Sequence, residues 1–286
     1  MLLGEWLNTW LELYVEPAAL AKSTKDMYNR AVRAVPQTLL AMPLQELTVL
    51  DLRRWLLQVE RVHPRAAQLD RVMLHRALTL AYKAGLASQS LCDSELLPQI
   101  VHKPAKAAVL DSDQLRAYLA AALKLPDGLP LALMACGLRR SEALGVRWEA
   151  VNLAAGTVAI VGQRLPGASE LSPPKTEASA RVLELPPQII GTIRRMPRPL
   201  GGGWLCSVSH RVLYQRHEQL LRQLGLPRVT LHGLRHSFAT AAVQKGVPIK
   251  ILQGALGHSK YDMTADLYAD HLPPVSHVTH DLYALP

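Results

Sequence analysis

The chain contains a set of ionisable side chains that together suit phosphoryl transfer. In chain order, the set is Arg139, Lys175, His232, Arg235, His258 and Tyr268. A guanidinium presents planar, paired donors to the non-bridging oxygens of a phosphodiester. Histidine and lysine can transfer protons, and a tyrosine hydroxyl can attack phosphorus to form a covalent intermediate. The set therefore predicts phosphoryl transfer without a metal ion or any other cofactor.

Arg139 follows Gly137 and Leu138, at a predicted break between an apolar helix and a short second helix. An arginine at such a turn can project its guanidinium into a cleft. Glu142, three residues further on, can hold that guanidinium in place. Two alternatives stay open on the residues alone: Arg140 is the functional arginine, or the motif is a surface Arg–Glu pair of little energetic weight.

His232 and Arg235 lie one helical turn apart at a predicted helix start, so they are expected to share a face. The amino end of the helix would add positive potential for a phosphate. His236 offers another interpretation, because His232 and His236 have the i, i+4 spacing of a metal-binding pair. Gly233 stands where a zinc protease motif has glutamate, and we therefore predict no metal site.

Lys175 lies between two strand-like runs, in a polar and proline-rich segment that predicts a hairpin. A lysine at a hairpin tip is usually a solvated charge. In a DNA-cleaving enzyme it could instead protonate the departing 5′ oxygen.

His258 is predicted in a loop that follows the helix opened by Pro248, and Tyr268 within a short helix over residues 262–270. A single tyrosine on a helix is usually a packing residue. Tyr261 and Tyr283 are the alternative nucleophiles.

Five motifs give the chain a resemblance to the tyrosine recombinase (phage integrase) family. They are CGLRRSEALGVRW at 136–148, PKTEASARVLELP at 174–186, LHGLRHSFAT at 231–240, LGHS at 256–259 and TADLYADHL at 264–272. The resemblance implies site-specific DNA cleavage and rejoining through a 3′-phosphotyrosyl link. It assigns Arg139 rather than Arg140, makes Lys175 the general acid, and makes Tyr268 the nucleophile.

The resemblance also implies partners and domain roles. Residues 1–106 would form a helical, SAM-like core-binding domain that clamps double-stranded DNA, and residues 107–286 an α+β catalytic domain. Four protomers would act on two DNA sites, with an accessory directionality factor in some systems. The alternatives are a type IB topoisomerase-like enzyme and a catalytically silent DNA-binding protein of the same fold.

The basic composition of the chain agrees with a negatively charged binding partner. The formal net charge is +9 over 286 residues. Lysine and arginine outnumber aspartate and glutamate by 13 to 10 in residues 1–106 and by 19 to 13 in residues 107–286. Since both parts are basic, both could contact a phosphate backbone.

The pattern of helix and strand signals predicts a mainly α fold with a small antiparallel sheet. Capping-box-like starts at Ser23 and Thr48, and a proline-opened helix over 64–83, predict four helices in the first hundred residues. A further helix is predicted from Asp111 to Leu123, beyond a linker at 99–110. Strands are predicted at Thr157–Val161 and Arg181–Leu185, with helices again from about 209 to 270.

The three cysteines, Cys92, Cys136 and Cys206, are too few and too widely spaced for a disulfide framework or a zinc site. The sequence shows neither a membrane-length apolar run nor the features of a signal peptide. These observations predict a cytoplasmic protein.

Overall fold

The computed structural model describes residues 1–87, 91, 97–100, 108–173 and 180–257. It divides into two compact units, Met1–Ala105 and Lys106–Pro286. The fold is mostly helical with a small three-stranded antiparallel sheet, which confirms the predicted fold class. Each unit has its own apolar core, as expected for domains of this size.

The described part of the first unit is helical. Its elements are α1 (Leu3–Trp10), a π-helical turn (Leu11–Val15), α2 (Lys22–Ala34), α3 (Gln37–Leu40), α4 (Val49–Val62) and α5 (Pro64–Lys83). The core fills with leucines and aromatic side chains from all of them. The buried Trp6 indole donates from Nε1 to the Ala77 carbonyl at 2.9 Å, which joins α1 to α5.

Two of the predicted helix starts in this unit are confirmed and one is wrong. Thr48 caps α4, since its hydroxyl accepts from the Asp51 N–H, and Pro64 is the first residue of α5. Ser23 is not a cap: α2 begins at Lys22 after Ala21, so Ser23 lies inside the first turn. The prediction of four helices also missed α3, because four residues are too few to show a helical period.

The second unit combines helices with the sheet. Its elements are α6 (Ser112–Ala122), α7 (Leu129–Ala135), α8 (Arg140–Gly145), a 3-10 turn (Trp148–Ala150), β1 (Val151–Asn152), β2 (Thr157–Ile160), β3 (Arg181–Glu184), α9 (Pro187–Arg195), α10 (His210–Gln223), α11 (Leu231–Gln244) and α12 (Ile249–Leu256). Asp111 caps α6 through the N–H groups of Asp113 and Gln114, as predicted.

The sheet has the order β1-β2-β3, and both pairings are antiparallel. Strand β2 pairs with β3 from Thr157 opposite Glu184 to Ile160 opposite Arg181. This register places Arg181 at the start of β3. The two-residue strand β1 was not predicted, because it is too short to show alternation.

A buried polar chain sets the position of α11. The hydroxyl oxygen of Tyr118 on α6 lies 2.8 Å from Nδ1 of His217, a fully buried residue of α10. Nε2 of the same ring lies 2.8 Å from the Val229 carbonyl oxygen. Since a carbonyl only accepts, Nε2 carries the proton and Nδ1 accepts from the tyrosine hydroxyl. Burial lowers the pKa of His217, which keeps the ring neutral. These two hydrogen bonds fix the backbone at Val229, immediately before Thr230, the residue that caps α11.

Across the described residues, the helices are too short or too polar to cross a lipid bilayer.

Candidate active site: an arginine cluster around Glu142

Arg139 occupies the junction between α7 and α8. The junction depends on Gly137, whose φ of 91° is a left-handed conformation that favours glycine. A Cβ at Gly137 would also lie 2.7 Å from a ring carbon of Phe238. The Arg139 side chain is 30% exposed, so part of its guanidinium faces solvent. Arg140 is exposed and begins α8.

Glu142 is the centre of the cluster. Its carboxylate is buried, and it accepts from both the main chain and the side chain of Arg139: the N–H at 2.9 Å to Oε2 and Nη1 at 2.6 Å to Oε1. The Arg139–Glu142 contact expected from the sequence is therefore present. Glu142 also binds a second arginine, which the sequence argument did not select.

That second arginine is Arg181, at the start of β3. Its Nη2 lies 2.9 Å from Glu142 Oε2 and its Nη1 lies 3.3 Å from Oε1, a paired arrangement between two planar groups. Both side chains are buried, with 7% and 6% of their surfaces exposed. The sequence signal was weak, because Arg181 opens a predicted strand and resembles an ordinary edge residue.

Arg235 completes the cluster from the second turn of α11, the helix predicted to carry it. Its side chain is 4% exposed, and Nη1 lies 3.9 Å from Glu142 Oε2. Nη1 also donates to the Gly137 carbonyl at 2.8 Å. Burial, with the nearby Arg139 charge, lowers the pKa of Arg235 to about 9, and the guanidinium therefore stays cationic at neutral pH.

The carboxyl end of α12 receives one hydrogen bond from each of the three arginines. Arg181 Nε donates to Ala255 O at 2.7 Å, Arg235 Nη2 to Leu256 O at 2.5 Å, and Arg139 Nη2 to Gly257 O at 2.9 Å. The last carbonyls of a helix lack partners within the helix and carry the negative end of its dipole. Gly257, in the left-handed conformation with φ of 63°, ends the helix at this point.

The charges of the cluster determine the protonation of Glu142. Burial alone would raise the pKa of this carboxyl group. Hydrogen bonds and charge from Arg181, and then from Arg139, outweigh burial and hold the pKa below its usual value. Glu142 is thus an anion at neutral pH, surrounded by three cations.

His232 and His236 lie on the first two turns of α11. Their rings are nearly perpendicular, with centroids 5.0 Å apart. Desolvation, followed by the charges of His236, Arg235 and Arg139, lowers the pKa of His232, so its imidazole is neutral at pH 7. The imidazole is partly desolvated, yet His232 as a whole residue is still exposed, whereas Arg235 is buried, so the two side chains are not equally accessible.

Metal ligands do not group around the histidine pair in the described structure. Within the described ranges, three or more histidine, cysteine, aspartate or glutamate side chains never converge in a way that could hold a metal ion. The cations of the cluster are arginines, which bind anions.

Three of the predicted site residues, Lys175, His258 and Tyr268, lie outside the described residues. The alternative nucleophiles Tyr261 and Tyr283 also lie outside them. The structure therefore brings together Arg139, Glu142 and Arg235 from the predicted set, with His232 beside them, and adds Arg181.

Comparison with known proteins shows which families and relatives the sequence resembles. A model of the phage integrase family matches residues 206–273. The tyrosine recombinase XerD of Pseudomonas aeruginosa is 32% identical over 209 residues, which are 62% of this chain and 65% of that protein. The tyrosine recombinase XerC of Brucella suis is 37% identical over 139 residues, 46% of this chain and 42% of its own. The chain thus spans less than two thirds of the length of either relative.

Solved structures show the same fold. The Tn1549 transposon integrase in complex with a circular intermediate DNA superposes with a TM-score of 0.79 at 19% identity, covering 100% of both chains. A lambda integrase dimer bound to a COC′ core site gives a TM-score of 0.72 at 16% identity, over 96% of this chain and 98% of that one. The chain is thus similar to tyrosine recombinases, and residues 206–273 match the phage integrase family.

Proposed function

We propose that this protein is a site-specific DNA recombinase that cleaves and rejoins strands through a 3′-phosphotyrosyl intermediate. The arginine cluster is the observation that carries the proposal. Three guanidinium groups share one buried carboxylate, Glu142, which leaves two positive charges in the cluster. A phosphodiester under attack by an oxygen nucleophile develops two negative charges, and preorganised donors stabilise such charge most effectively in a site shielded from water.

Each residue has a proposed role in that reaction. Arg139 and Arg235 neutralise the non-bridging oxygens, and Glu142 orients Arg139. The Tyr268 oxygen attacks phosphorus, forming the phosphotyrosine bond as the bond to the 5′ oxygen breaks. Lys175 protonates that oxygen.

His232 and His258 are the proposed groups for transferring the phenolic proton. The lowered pKa of His232 supports this role, because a neutral imidazole can accept a proton. The reverse sequence, with a new 5′ hydroxyl as nucleophile, restores the DNA backbone. Because the phosphotyrosine conserves the bond energy, no nucleotide cofactor is needed.

The partners follow from charge and from the relatives. The net charge of +9 favours double-stranded DNA, with the first unit as the clamp and the second as the catalytic domain. Lambda integrase has been solved as a dimer on a core site and as a tetramer on a Holliday junction. We propose the same tetramer on two sites here, with a directionality factor where the direction is regulated, acting in the cytoplasm.

The test begins with selection of DNA. The full chain would select binding sites from a pool of random duplexes, and the selected sites would be nicked at successive positions so that a cleaved strand cannot be religated. We expect wild-type protein to form a covalent adduct and Tyr268→Phe to bind the same DNA without forming one. Tyr261→Phe and Tyr283→Phe are matched controls that should retain the adduct.

Three outcomes would contradict the proposal. Binding without any adduct would indicate a DNA-binding protein. Relaxed circles without recombinants between two sites would indicate a topoisomerase-like enzyme. If Tyr261→Phe or Tyr283→Phe loses the adduct while Tyr268→Phe still forms it, the nucleophile is the tyrosine whose replacement abolished the adduct, not Tyr268.

Lys175 is tested with a strand that carries sulfur in place of the 5′-bridging oxygen. A thiolate leaves without needing a proton, so Lys175→Ala should cleave ordinary DNA poorly and the sulfur-substituted strand well. The sulfur-substituted strand should not restore cleavage by Arg235→Ala, because this variant lacks a group that stabilises negative charge on the phosphate oxygens. If the sulfur substitution rescues both variants equally, Lys175 is a phosphate contact and not the general acid.

A further inference from the structure

We propose that Arg181 is a positioning residue for the phosphate site: it holds the Glu142 carboxylate and the carboxyl end of α12 in the arrangement that orients Arg139 and Arg235. The inference rests on the proposed function. Arg181 itself is buried, and in this structure its guanidinium faces Glu142 and α12.

The first step of the argument is the geometry around Glu142. Each carboxylate oxygen accepts from both Arg139 and Arg181: Oε1 from the two Nη1 atoms at 2.6 and 3.3 Å, and Oε2 from the Arg139 N–H and Arg181 Nη2, both at 2.9 Å. A buried carboxylate held by the Arg181 guanidinium pair on one side, and by the Arg139 N–H and Nη1 on the other, has little freedom to rotate. Removing Arg181 would release one side of it.

The second step is the end of α12. Arg181 Nε is tied to Ala255 O at 2.7 Å, while the next two carbonyls accept from Arg235 and Arg139. These three carbonyls are consecutive in the chain, so a shift of Ala255 moves the acceptors of both other arginines. Ala255 also precedes His258 by three residues in the sequence.

The third step is charge. With Arg181 present, the single negative charge of Glu142 is shared among guanidinium groups. Without Arg181, the carboxylate would neutralise Arg139 more completely, and Arg139 is the partly exposed cation that a phosphate can approach. Arg181 therefore affects the strength of the site as well as its shape, while its own side chain stays 7% exposed.

The experiment compares Arg181→Met, Arg181→Lys and Arg194→Met with the wild type on the nicked duplex that the wild type cleaves. Arg194 is the matched control, since it is an exposed arginine of the same unit that bonds the Leu153 carbonyl at 2.9 Å. We expect Arg181→Met to slow adduct formation by roughly 100-fold with DNA affinity within about threefold of wild type. Arg181→Lys should recover part of the rate, because it keeps the charge and loses the planar pair. Arg194→Met should cleave normally.

A pH profile separates positioning from a general loss of structure. Glu142 faces the charged groups Arg139, Arg181 and Arg235, and loss of Arg181 would remove the largest of the influences that lower its pKa against burial. The acid limb of cleavage should therefore move towards neutral pH in Arg181→Met and stay near the wild-type position in Arg181→Lys. A uniformly slower enzyme with an unmoved acid limb, or equal effects of Arg181→Met and Arg194→Met, overturns the inference.

A DNA-free measurement distinguishes failure of this inference from failure of the proposed function. The Nη–H signals of Arg139 in the NMR spectrum, assigned by their loss in Arg139→Lys, report whether its guanidinium is held. We expect separate, slowly rotating signals in wild type and their collapse in Arg181→Met, whether or not the protein cleaves DNA. Unchanged Arg139 signals in a folded Arg181→Met protein would show that Arg181 does not position Arg139. A wild type that forms no adduct contradicts the proposed function alone.

Discussion

The second unit contains a buried ion-paired cluster, whereas the ion pairs described in the first unit lie at the surface. In the first unit, the ion pairs of the described residues lie at the surface: Arg54, paired with Asp51, has 75% of its side chain exposed. In the second unit, Glu142, Arg181 and Arg235 are almost completely buried. Exposed pairs contribute little to stability, whereas breaking a buried pair leaves an uncompensated charge in a poorly solvating interior.

The difference indicates different uses of charge. Exposed lysines and arginines can rearrange to meet a flexible, repeating phosphate backbone, where affinity depends on the number of contacts. A buried cluster costs free energy to assemble, and in the proposed function it would present cations in a fixed geometry to a single phosphate. Under the proposed function, the first unit would supply affinity for DNA and the second would supply a preorganised site.

The strongest test of this contrast is Glu142→Gln, which leaves three guanidinium groups around a neutral amide. We expect a loss of about 3–5 kcal/mol in the free energy of unfolding, because the buried arginines lose their counter-charge. Wild-type stability should also fall as pH drops through the lowered pKa of Glu142, and the variant should lack that contribution. Urea unfolding at several pH values measures both effects.

Arg54→Ala in the first unit is the control for that measurement. An exposed pair should contribute less than about 0.5 kcal/mol and should weaken further in salt. If Arg54→Ala and Glu142→Gln destabilise the protein equally, the contrast between the two units is wrong.

The next largest effect is expected from Gly137→Ala, which tests the backbone of the buried site. Alanine would be strained at a φ of 91° and would press on Phe238, while the Gly137 carbonyl is an acceptor for Arg235. We expect a cost of about 2–4 kcal/mol, measured by chemical unfolding. Gly167→Ala is the matched control: its φ is also positive, at 75°, but a Cβ there meets no atom within 4 Å. If the two variants lose similar amounts of unfolding free energy, backbone strain alone explains the effect and the contact with Phe238 contributes nothing.

A smaller effect of opposite sign is expected from Asp70→Asn in the first unit. Asp70 is 4% exposed, and its Oδ2 has no hydrogen-bond partner among the described residues. Burial raises its pKa to about 6. The native state thus binds more protons than the unfolded state between about pH 4 and pH 6, and wild-type stability falls as pH rises through that range.

Asparagine removes that penalty. We expect Asp70→Asn to raise the free energy of unfolding by about 1–2 kcal/mol at pH 7, with the gain vanishing near pH 4. Thermal unfolding at both pH values checks this. A variant that is less stable than wild type at pH 7 would mean that the carboxylate is compensated in the native protein.

Local sequence signals predicted the features that depend on neighbouring residues. The caps at Thr48 and Asp111, the proline start of α5, the strand pair and the start of α11 all follow from interactions within a few residues. The same reasoning failed at Ser23, where the helix begins one residue earlier, and at the short elements α3 and β1, which contain too few residues to show a period. It also placed the return of helices near residue 209, whereas α9 already spans Pro187–Arg195.

The arginine cluster shows the limit of that reasoning. Arg139 and Glu142 are three residues apart, so their contact could be predicted from helical spacing. Arg181 lies 39 residues from Glu142 and 74 from Ala255 in the chain, and no local pattern reports that their side chains meet. Its role became visible only from the paired bonds and the burial.

The sequence by itself therefore determined the residue types, the helical and strand periods and the motifs that give the chain its similarity to tyrosine recombinases. Tertiary structure alone decided which cations share one carboxylate, how deeply each is buried and which carbonyls they satisfy. The physical reason is that hydrogen bonding and desolvation depend on distances between atoms, and folding brings residues such as Glu142 and Arg181 together from distant positions in the chain.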